Sequence, residues 1–300
     1  MNTEDRMSNT QNTAGSENRK HPGTGPISRF LYRIILFFLR LFYPKTVIEG
    51  LENIPEGGAI LVGNHAQMGG PLTCRLFLPE NTYIWCAGEM MYAREVPGYA
   101  FTDFWSFKPK WTHWFFRLLS YLITPLAVIL FNNAGCIEVR RDTRIMNTFR
   151  ESGRLFSEGA NIVIFPEENK PFNAIVYDFQ EGFPNVARLC AKMSGRPVPF
   201  VPFYLAPRLR RMVIGEPIWY DESAPWKGER ERLRTSLRSA VTDLARSLPE
   251  HTVVPYRNIT KKDYPQSTDL NWPKGKPETA HSAGAECPAA ADTDKESPTT

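Results

Sequence analysis

The chain has 300 residues, of which 42% are hydrophobic, 23% charged and 12% aromatic, so it holds enough apolar material for a sizeable core. Its formal net charge is only +4 and it has no long run of Lys and Arg, which argues against nucleic acid as a partner and suits an anionic membrane surface. The five cysteines form no Cys-x-x-Cys pair, so neither a disulfide framework nor a zinc site is expected.

Composition predicts a folded region between two disordered tails. Residues 1–26 are rich in Asn, Thr, Ser and Gly, and residues 263–300 are rich in Pro, Ala, Ser, Thr and Glu. The first twenty residues contain no apolar stretch typical of a signal peptide, so secretion is not expected, and the cysteine pattern favours a reducing cytosolic location. The remaining chain divides into a membrane-associating helix at 27–45 and a main domain at 46–262.

The first apolar segment is Phe30–Tyr43, with the sequence FLYRIILFFLRLFY. Arg33 and Arg40 are seven residues apart, so a helix places both on one face. The segment is shorter than the ~20 apolar residues that a spanning helix needs. A basic and aromatic helix of this length is typical of one that lies in the membrane interface. The alternative is an ordinary core helix.

The second apolar segment is Trp114–Phe131, with the sequence WFFRLLSYLITPLAVILF. Pro125 is expected to kink a helix in its second half. Its length is marginal for crossing a membrane, so a full span and a buried or half-immersed helical hairpin both remain open.

The rest of the chain alternates short β-rich runs with helical patterns, which predicts an α/β fold with one central mixed sheet flanked by helices. Arg144–Ser157 is a predicted helix capped by Asp142 or Thr143, and Glu229–Leu248 is a second one, with apolar residues at helical spacing. The predicted strands are Thr46–Glu49, Ala59–Val62, Thr82–Cys86, Cys136–Val139, Asn161–Phe165, Phe200–Leu205 and Met212–Ile214.

The first block with chemical potential is AILVGNHAQM, in which an apolar strand leads to Asn64 and His65. A histidine just past a buried strand lies at the mouth of the sheet, where α/β proteins commonly place their chemistry. A single histidine is more often structural than catalytic, so this block needs support from others.

Three further blocks give that support. They are GCIEVRRD at 135–142, a strand ending in paired arginines, NIVIFPEENKP at 161–171, a strand leading to Phe-Pro-Glu, and VPFVPFYL at 198–205, a Pro-interrupted strand. Each has an ordinary alternative: a solvated strand end, a plain turn and a sheet edge. Four such blocks in this order are much less expected by chance.

The order and spacing of the blocks resemble the glycerolipid acyltransferase family, typified by PlsC-type 1-acylglycerol-3-phosphate acyltransferases. The resemblance covers roughly residues 47–216. Two places depart from the family pattern: Gly70 stands where the family has Asp, and Glu168, Asn169 and Lys170 stand where it has Gly, Thr and Arg. The matching residues are Asn64, His65, Pro71, Leu72, Gly135, Ile137, Arg141, Phe165, Pro166, Glu167, Gly182, Val198, Pro199, Val201 and Pro202.

The resemblance implies an acyltransferase domain at 46–262. It would move a fatty acyl group from acyl-CoA or acyl carrier protein to a lysophospholipid-like acceptor in phospholipid biosynthesis, at the cytoplasmic face of a membrane, with no metal or other cofactor.

The same resemblance assigns roles to residues. His65 is the expected base that takes the proton of the acceptor hydroxyl. Arg141 and Lys170 are the expected phosphate-binding cations, although Lys lacks the bidentate fork of Arg. Asn64 and Glu167 complete the expected substrate site, with Glu167 binding acceptor hydroxyls or holding the cations in place.

Gly70 leaves open what orients the His65 ring. Loss of the corresponding Asp in the serine-protease triad lowers kcat by ~10⁴-fold. One alternative is a catalytically impaired lipid-binding relative of the family. A second is a hydrolase that uses His65 with a serine, but the sequence has no GxSxG motif to support it. The candidate replacements for this carboxylate are Glu89, Asp103, Glu138 and Glu168.

Overall fold

The computed structural model describes residues 24–140 and 142–270. Most of both predicted tails, at 1–23 and 271–300, and the candidate residue Arg141 lie outside the described residues. Residues 263–270 contact the chain that precedes them, since the Val253 amide donates to the Pro265 carbonyl (2.9 Å) and the Ser267 amide donates to the His251 carbonyl (2.9 Å).

The predicted α/β fold with one central mixed sheet flanked by helices is confirmed. The strands are β1 (Val47–Glu49), β2 (Ile60–Gly63), β3 (Thr82–Ala87), β4 (Cys136–Val139), β5 (Asn161–Ile164), β6 (Glu167–Pro171), β7 (Tyr177–Phe179), β8 (Pro199–Ala206), β9 (Arg211–Ile214) and β10 (Ile218–Trp219). The helices are α1 (Pro26–Phe42), α2 (Gly69–Phe77), α3 (Val96–Ala100), α4 (His113–Asn133), α5 (Ile145–Ser157), α6 (Val186–Ser194) and α7 (Trp226–Arg246).

The sheet runs in the order β1-β9-β8-β2-β5-β3-β4, and β10 pairs with β8. β2 is parallel to both β5 and β8, whereas β8 and β9 are antiparallel. β6 and β7 form a separate antiparallel pair. The central strands β2, β5 and β8 are buried along their whole length, which explains why they read as unbroken apolar runs.

Alternation along β2 builds two cores, because successive side chains point to opposite faces of a sheet. Ile60 and Val62 pack in the core formed with α5, α6 and α7, whose contributions include Phe149, Val186 and Leu237. Leu61 faces the other way, into a smaller core that includes Cys74 of α2 and Leu78 just after it. The sheet is therefore covered on both faces.

Helices α1 and α4 contact each other at one side of the domain. The segment Lys110–Asn133 is long and apolar enough to cross a membrane by length and composition, and only 17% of its most apolar window is buried. Both helices turn large apolar side chains outward. On α1 these are Ile27, Phe30, Phe37, Phe38, Leu41 and Phe42, and on α4 they are Trp114, Phe115, Leu118, Tyr121, Leu122 and Leu126.

Candidate active site

Asn64 fastens the end of β2 to its neighbour β8. Its side-chain amide donates to the Leu205 carbonyl (3.0 Å), and the Leu205 amide donates to its Oδ1 (2.8 Å). Asn64 is buried, so this pair of bonds satisfies both ends of its amide away from water. Asn64 therefore fixes the end of β2 directly before His65. Its contact with substrate stays a prediction.

Glu167 holds the main chain of His65. Its Oε2 accepts a hydrogen bond from the His65 amide (2.5 Å) and its Oε1 accepts one from the Tyr177 amide (3.1 Å). Burial raises the pKa of this carboxyl to about 7, and the two hydrogen bonds oppose that rise because they favour the ionised form. The Phe-Pro-Glu block thus brings a carboxylate to the backbone of the candidate base.

The His65 ring lies between two aromatic rings. The Phe165 centroid is 5.0 Å away and the Tyr256 centroid is 5.8 Å away, both in edge-on contacts. Burial lowers the pKa of His65 to about 4, and a hydrogen bond to the Gln67 backbone acts in the opposite direction. The imidazole is therefore neutral at pH 7, the form that accepts a proton.

A tight turn connects His65 to α2. Ala66 (φ 45°) and Gln67 (φ 54°) both adopt the left-handed conformation, which costs roughly 1–3 kcal/mol for a residue other than glycine. The Gly69 amide donates to the Ala66 carbonyl (3.0 Å), and the Gln67 side chain donates to the Tyr264 hydroxyl (3.0 Å). A hydrogen bond that raises the pKa of His65 favours the protonated ring, so its acceptor is the Gln67 backbone carbonyl.

Gly70 has no room for a side chain in this turn. A Cβ there would lie 2.4 Å from the His65 carbonyl oxygen and 2.9 Å from the Phe165 ring, and the Gly70 amide already donates to that carbonyl (3.0 Å). An Asp at position 70 requires a different path for residues 65–70. The path of residues 65–70, including the left-handed Gln67, therefore depends on a glycine at position 70.

Two of the four candidate replacement carboxylates, Glu89 and Glu138, bind a buried arginine. Arg140 forms ion pairs with Glu138 (2.5 Å), Glu89 (3.6 Å) and Glu95, and its guanidinium lies over the Tyr92 ring. Of the other two, Asp103 lines the same cavity as His65 and Glu168 lies on β6.

His65 opens into an apolar cavity of about 280 Å³. The cavity runs between the ends of the central strands and the paired helices α1 and α4. Its lining includes Leu36 and Leu39 of α1, Leu72 of α2, and Leu130 and Phe131 of α4. A mostly apolar, preformed cavity beside a reactive group suits a ligand with a hydrocarbon chain.

The described residues do not place Lys170 with the other candidates. It lies on β6 with an exposed side chain, outside the lining of the cavity. His65, Asn64 and Glu167 are brought together, whereas Arg141 is outside the described residues. In residues 24–140 and 142–270, no group of three or more His, Cys, Asp or Glu side chains is arranged to hold a metal ion.

Comparison with known proteins adds little beyond this geometry. No protein-family model matches the sequence, and no curated protein matches it. One solved structure with a similar fold is the 1-acyl-sn-glycerophosphate (LPA) acyltransferase PlsC from Thermotoga maritima, at 17% identity and a TM-score of 0.40. The similarity covers 73% of this chain and 78% of that one.

Several residues of the site carried no signal in the sequence. Gln67 contacts His65 through its backbone carbonyl, a group that every residue has. Its position depends on the left-handed turn and not on its side chain. Tyr256 reaches the His65 ring from the segment that follows α7, far from any motif. Tyr177 binds Glu167 through its backbone amide, and its ring contacts the Tyr256 ring. None of the three contacts has a side-chain pattern by which it is recognised.

Proposed function

We propose that this chain is an acyltransferase that moves a fatty acyl group from a thioester donor to the hydroxyl of a lipid acceptor, with His65 as general base. The observation that carries the proposal is the His65 imidazole, held between the Phe165 and Tyr256 rings, at the mouth of an apolar cavity. Acyl-CoA or acyl carrier protein is the proposed donor, and a lysophospholipid-like molecule is the proposed acceptor.

In the proposed reaction one ring nitrogen of His65 donates to the Gln67 carbonyl while the other accepts the proton of the acceptor hydroxyl. The hydroxyl oxygen attacks the thioester carbonyl carbon and forms a tetrahedral oxyanion. When this intermediate collapses, the carbon–sulfur bond breaks and the thiolate takes the proton from the imidazolium. The ester and a thiol are released, and His65 returns to its neutral form.

The low pKa of His65 has a cost in this step. A pKa of about 4 instead of 6.5 means that the imidazolium is less stable by roughly 3 kcal/mol than in water. The Gln67 carbonyl lowers that cost, and so does the negative charge that develops on the acceptor beside the ring, since charges attract more strongly in a dry site. The benefit is that the base is almost fully unprotonated at neutral pH.

Outward-facing aromatic and aliphatic side chains on α1 and α4 support a membrane as the source of the acceptor. Phe37 is 63% exposed and Trp114 is 70% exposed, and both helices also line the cavity. Contiguous apolar surface of this kind marks interaction sites, and Trp, Tyr, Arg and Lys near it are typical of the lipid interface. We place the protein on the cytoplasmic face of a membrane, in phospholipid biosynthesis.

From the resemblance to the glycerolipid acyltransferases, we also propose that Arg141 and Lys170 are the cations that bind an acceptor phosphate. On the same ground we propose Asn64 and Glu167 as residues of the substrate site. Glu167 supports the site in any case by holding the His65 amide. Removal of the Lys170 charge tests its part directly.

The test is an acyl-transfer assay with labelled acyl-CoA and a panel of lyso-lipids in vesicles. We expect His65→Ala to lose activity by at least about a hundredfold while keeping the wild-type circular dichroism, since general-base catalysis contributes roughly 10²–10⁴-fold. His113→Ala, outside the cavity lining, is the matched control and should retain transfer. Wild-type turnover by a folded His65→Ala protein would exclude His65 as the base, and lipid binding without transfer by the wild type would indicate a lipid-binding protein.

A further inference from the structure

Arg75 is a cation that faces the cavity from α2. Met68, Pro71, Leu72 and Arg75 follow one another at helical spacing, and all four line the cavity. The same helix begins directly after the His65 turn. With a rise of 1.5 Å per residue, Arg75 lies about two turns along α2 from that turn. One helix therefore links the position of the candidate base to the position of this cation.

Tyr32 fixes the Arg75 guanidinium. Arg75 Nε donates a hydrogen bond to the Tyr32 hydroxyl (2.7 Å), and the guanidinium carbon lies 5.8 Å from the centre of the Tyr32 ring. Tyr32 is only 7% exposed, although it belongs to α1, which turns most of its apolar side chains outward. The tyrosine thus holds the arginine from the helix that we place at the membrane.

The two terminal amino groups of Arg75 have no partner among residues 24–140 and 142–270. Other partly buried arginines of the described chain have acceptors for their terminal amino groups. Arg140 pairs with three glutamates, Arg234 and Arg238 pair with Asp178, and Arg196 donates to the Gly57 and Phe156 carbonyls. An ionised group in a largely apolar cavity is costly unless a counter-charge reaches it. Arg75 therefore presents four N–H donors to whatever occupies the cavity.

Charges on the lining point to the same residue. Of the cavity-lining residues that the structure describes, Arg75 is the only Lys or Arg, and the acidic ones are Glu89 and Asp103. Glu89 is already paired with Arg140. An anionic ligand that enters this cavity therefore meets its counter-charge at Arg75. The exposed Lys170 lies on β6, outside the lining.

We propose that Arg75 binds the anionic headgroup of the lipid acceptor, and that Tyr32 positions the guanidinium for it. The shared chemistry is an oxyanion, either a phosphate or a carboxylate, which a guanidinium contacts through two parallel hydrogen bonds. This inference rests on the proposed function for the identity of the acceptor, but the binding step precedes acyl transfer and is measured without a donor.

The experiment is equilibrium binding of three lipids with the same acyl chain to the full chain in mixed micelles. They are a lysophosphatidate, an N-acyl amino acid and a neutral monoacylglycerol. For Arg75→Gln we expect affinity for the anionic lipids to fall by about tenfold to a hundredfold, the usual effect of losing a charge-assisted hydrogen bond, with monoacylglycerol changed by less than about twofold. A loss for only one anionic lipid identifies phosphate or carboxylate as the ligand group.

Three further variants separate recognition from folding. Arg75→Lys keeps the charge without the fork and should bind anionic lipids with intermediate affinity. Tyr32→Phe keeps the ring and removes the hydroxyl, so it should weaken anionic binding by a few-fold even if Arg75→Gln does not fold. Arg208→Gln, at an exposed position outside the cavity lining, is the matched control and should bind like the wild type.

The inference is overturned if Arg75→Gln weakens all three lipids equally, since that pattern marks a structural role. It is also overturned if the wild type binds none of the three, or if Arg75→Lys and Tyr32→Phe leave anionic binding unchanged. Failure of acyl transfer alone does not affect it. A protein that binds anionic lipids through Arg75 but transfers no acyl group contradicts only the proposed function.

Discussion

The two sides of the domain use amphipathic helices in opposite ways. On α7, Leu233, Leu237 and Val241 are fully buried against the sheet, and Glu231 and Asp243 are exposed to solvent. On α1, Phe37 and Leu41 are more than 60% exposed. The α7 side is complete within this chain, whereas the α1 side leaves apolar surface for a partner. The cavity of His65 lies on the incomplete side, so chemistry and the expected membrane contact share one region.

The largest expected effect concerns the complete side. Leu237→Ala should lower the free energy of unfolding by about 2–5 kcal/mol, because it leaves a void in a packed core. Urea denaturation measures the change. Phe37→Ala on α1 is the matched substitution and should alter the free energy of unfolding by less than about 1 kcal/mol. Equal destabilisation by both would mean that α1 is packed in the free protein, contrary to the comparison.

The next effect concerns the α1 surface. Phe37→Ser combined with Leu41→Ser should reduce binding to anionic vesicles by about tenfold to a hundredfold, since each side chain loses apolar contact with lipid. Vesicle co-sedimentation measures it. Met193→Ser combined with Leu270→Ser, at exposed apolar positions outside α1 and α4, provides the control. Unchanged binding in the α1 variant would move the membrane contact to α4.

A third effect concerns the two buried titrating groups of the site. The Glu167 pKa is raised to about 7, so its contribution to stability is present below about pH 4.5 and is lost as the pH rises through 7. The His65 pKa is lowered to about 4, so its contribution is present above about pH 6.5 and is lost as the pH falls through 4. Between pH 5 and 6.5 the two slopes oppose each other.

His65→Asn removes one of these slopes and should reveal the other. Between pH 5 and pH 7, the unfolding free energy of the variant should fall by on the order of 1–2 kcal/mol more than that of the wild type. Urea denaturation at pH 5, 6 and 7 measures both proteins. Parallel stability curves would show that His65 titrates near its ordinary value and is not desolvated.

The smallest effect is expected at Lys170. Because its side chain is exposed and outside the cavity lining, Lys170→Gln should change acceptor KM by less than about twofold, far less than Arg75→Gln. A tenfold rise in acceptor KM, with donor KM unchanged, would instead support the phosphate-binding role that the family resemblance gives to Lys170.

The sequence predicted the framework better than the site. Buried strands such as Ile60–Gly63 and the amphipathic α7 followed from apolar pattern, because burial of these side chains dominates their local structure. His65 and Glu167 were found through motifs. The bond between Glu167 and the His65 amide was not, because pairing of distant residues depends on which strands are neighbours in the sheet.

Arg75 shows a different limit of prediction. In sequence it is one arginine in a short helix, and neither periodicity nor a motif separates it from the others. Its place became visible only when the cavity, the Tyr32 hydroxyl and the pairing of the other arginines were known. The sequence shows that Gly70 departs from the family pattern, but the reason is steric and depends on the path of the neighbouring backbone.

The hydrogen bond between Tyr32 and Arg75 joins two equilibria in one contact. Tyr32 belongs to α1, and Arg75 belongs to α2, the helix that follows the candidate base. If bilayer contact selects the position of α1 in which this bond is made, bilayer contact also raises the affinity of Arg75 for an anion. Thermodynamic reciprocity then requires the anion to strengthen bilayer contact by the same factor. Retention at the membrane would rise with the supply of acceptor and fall as the acceptor is consumed.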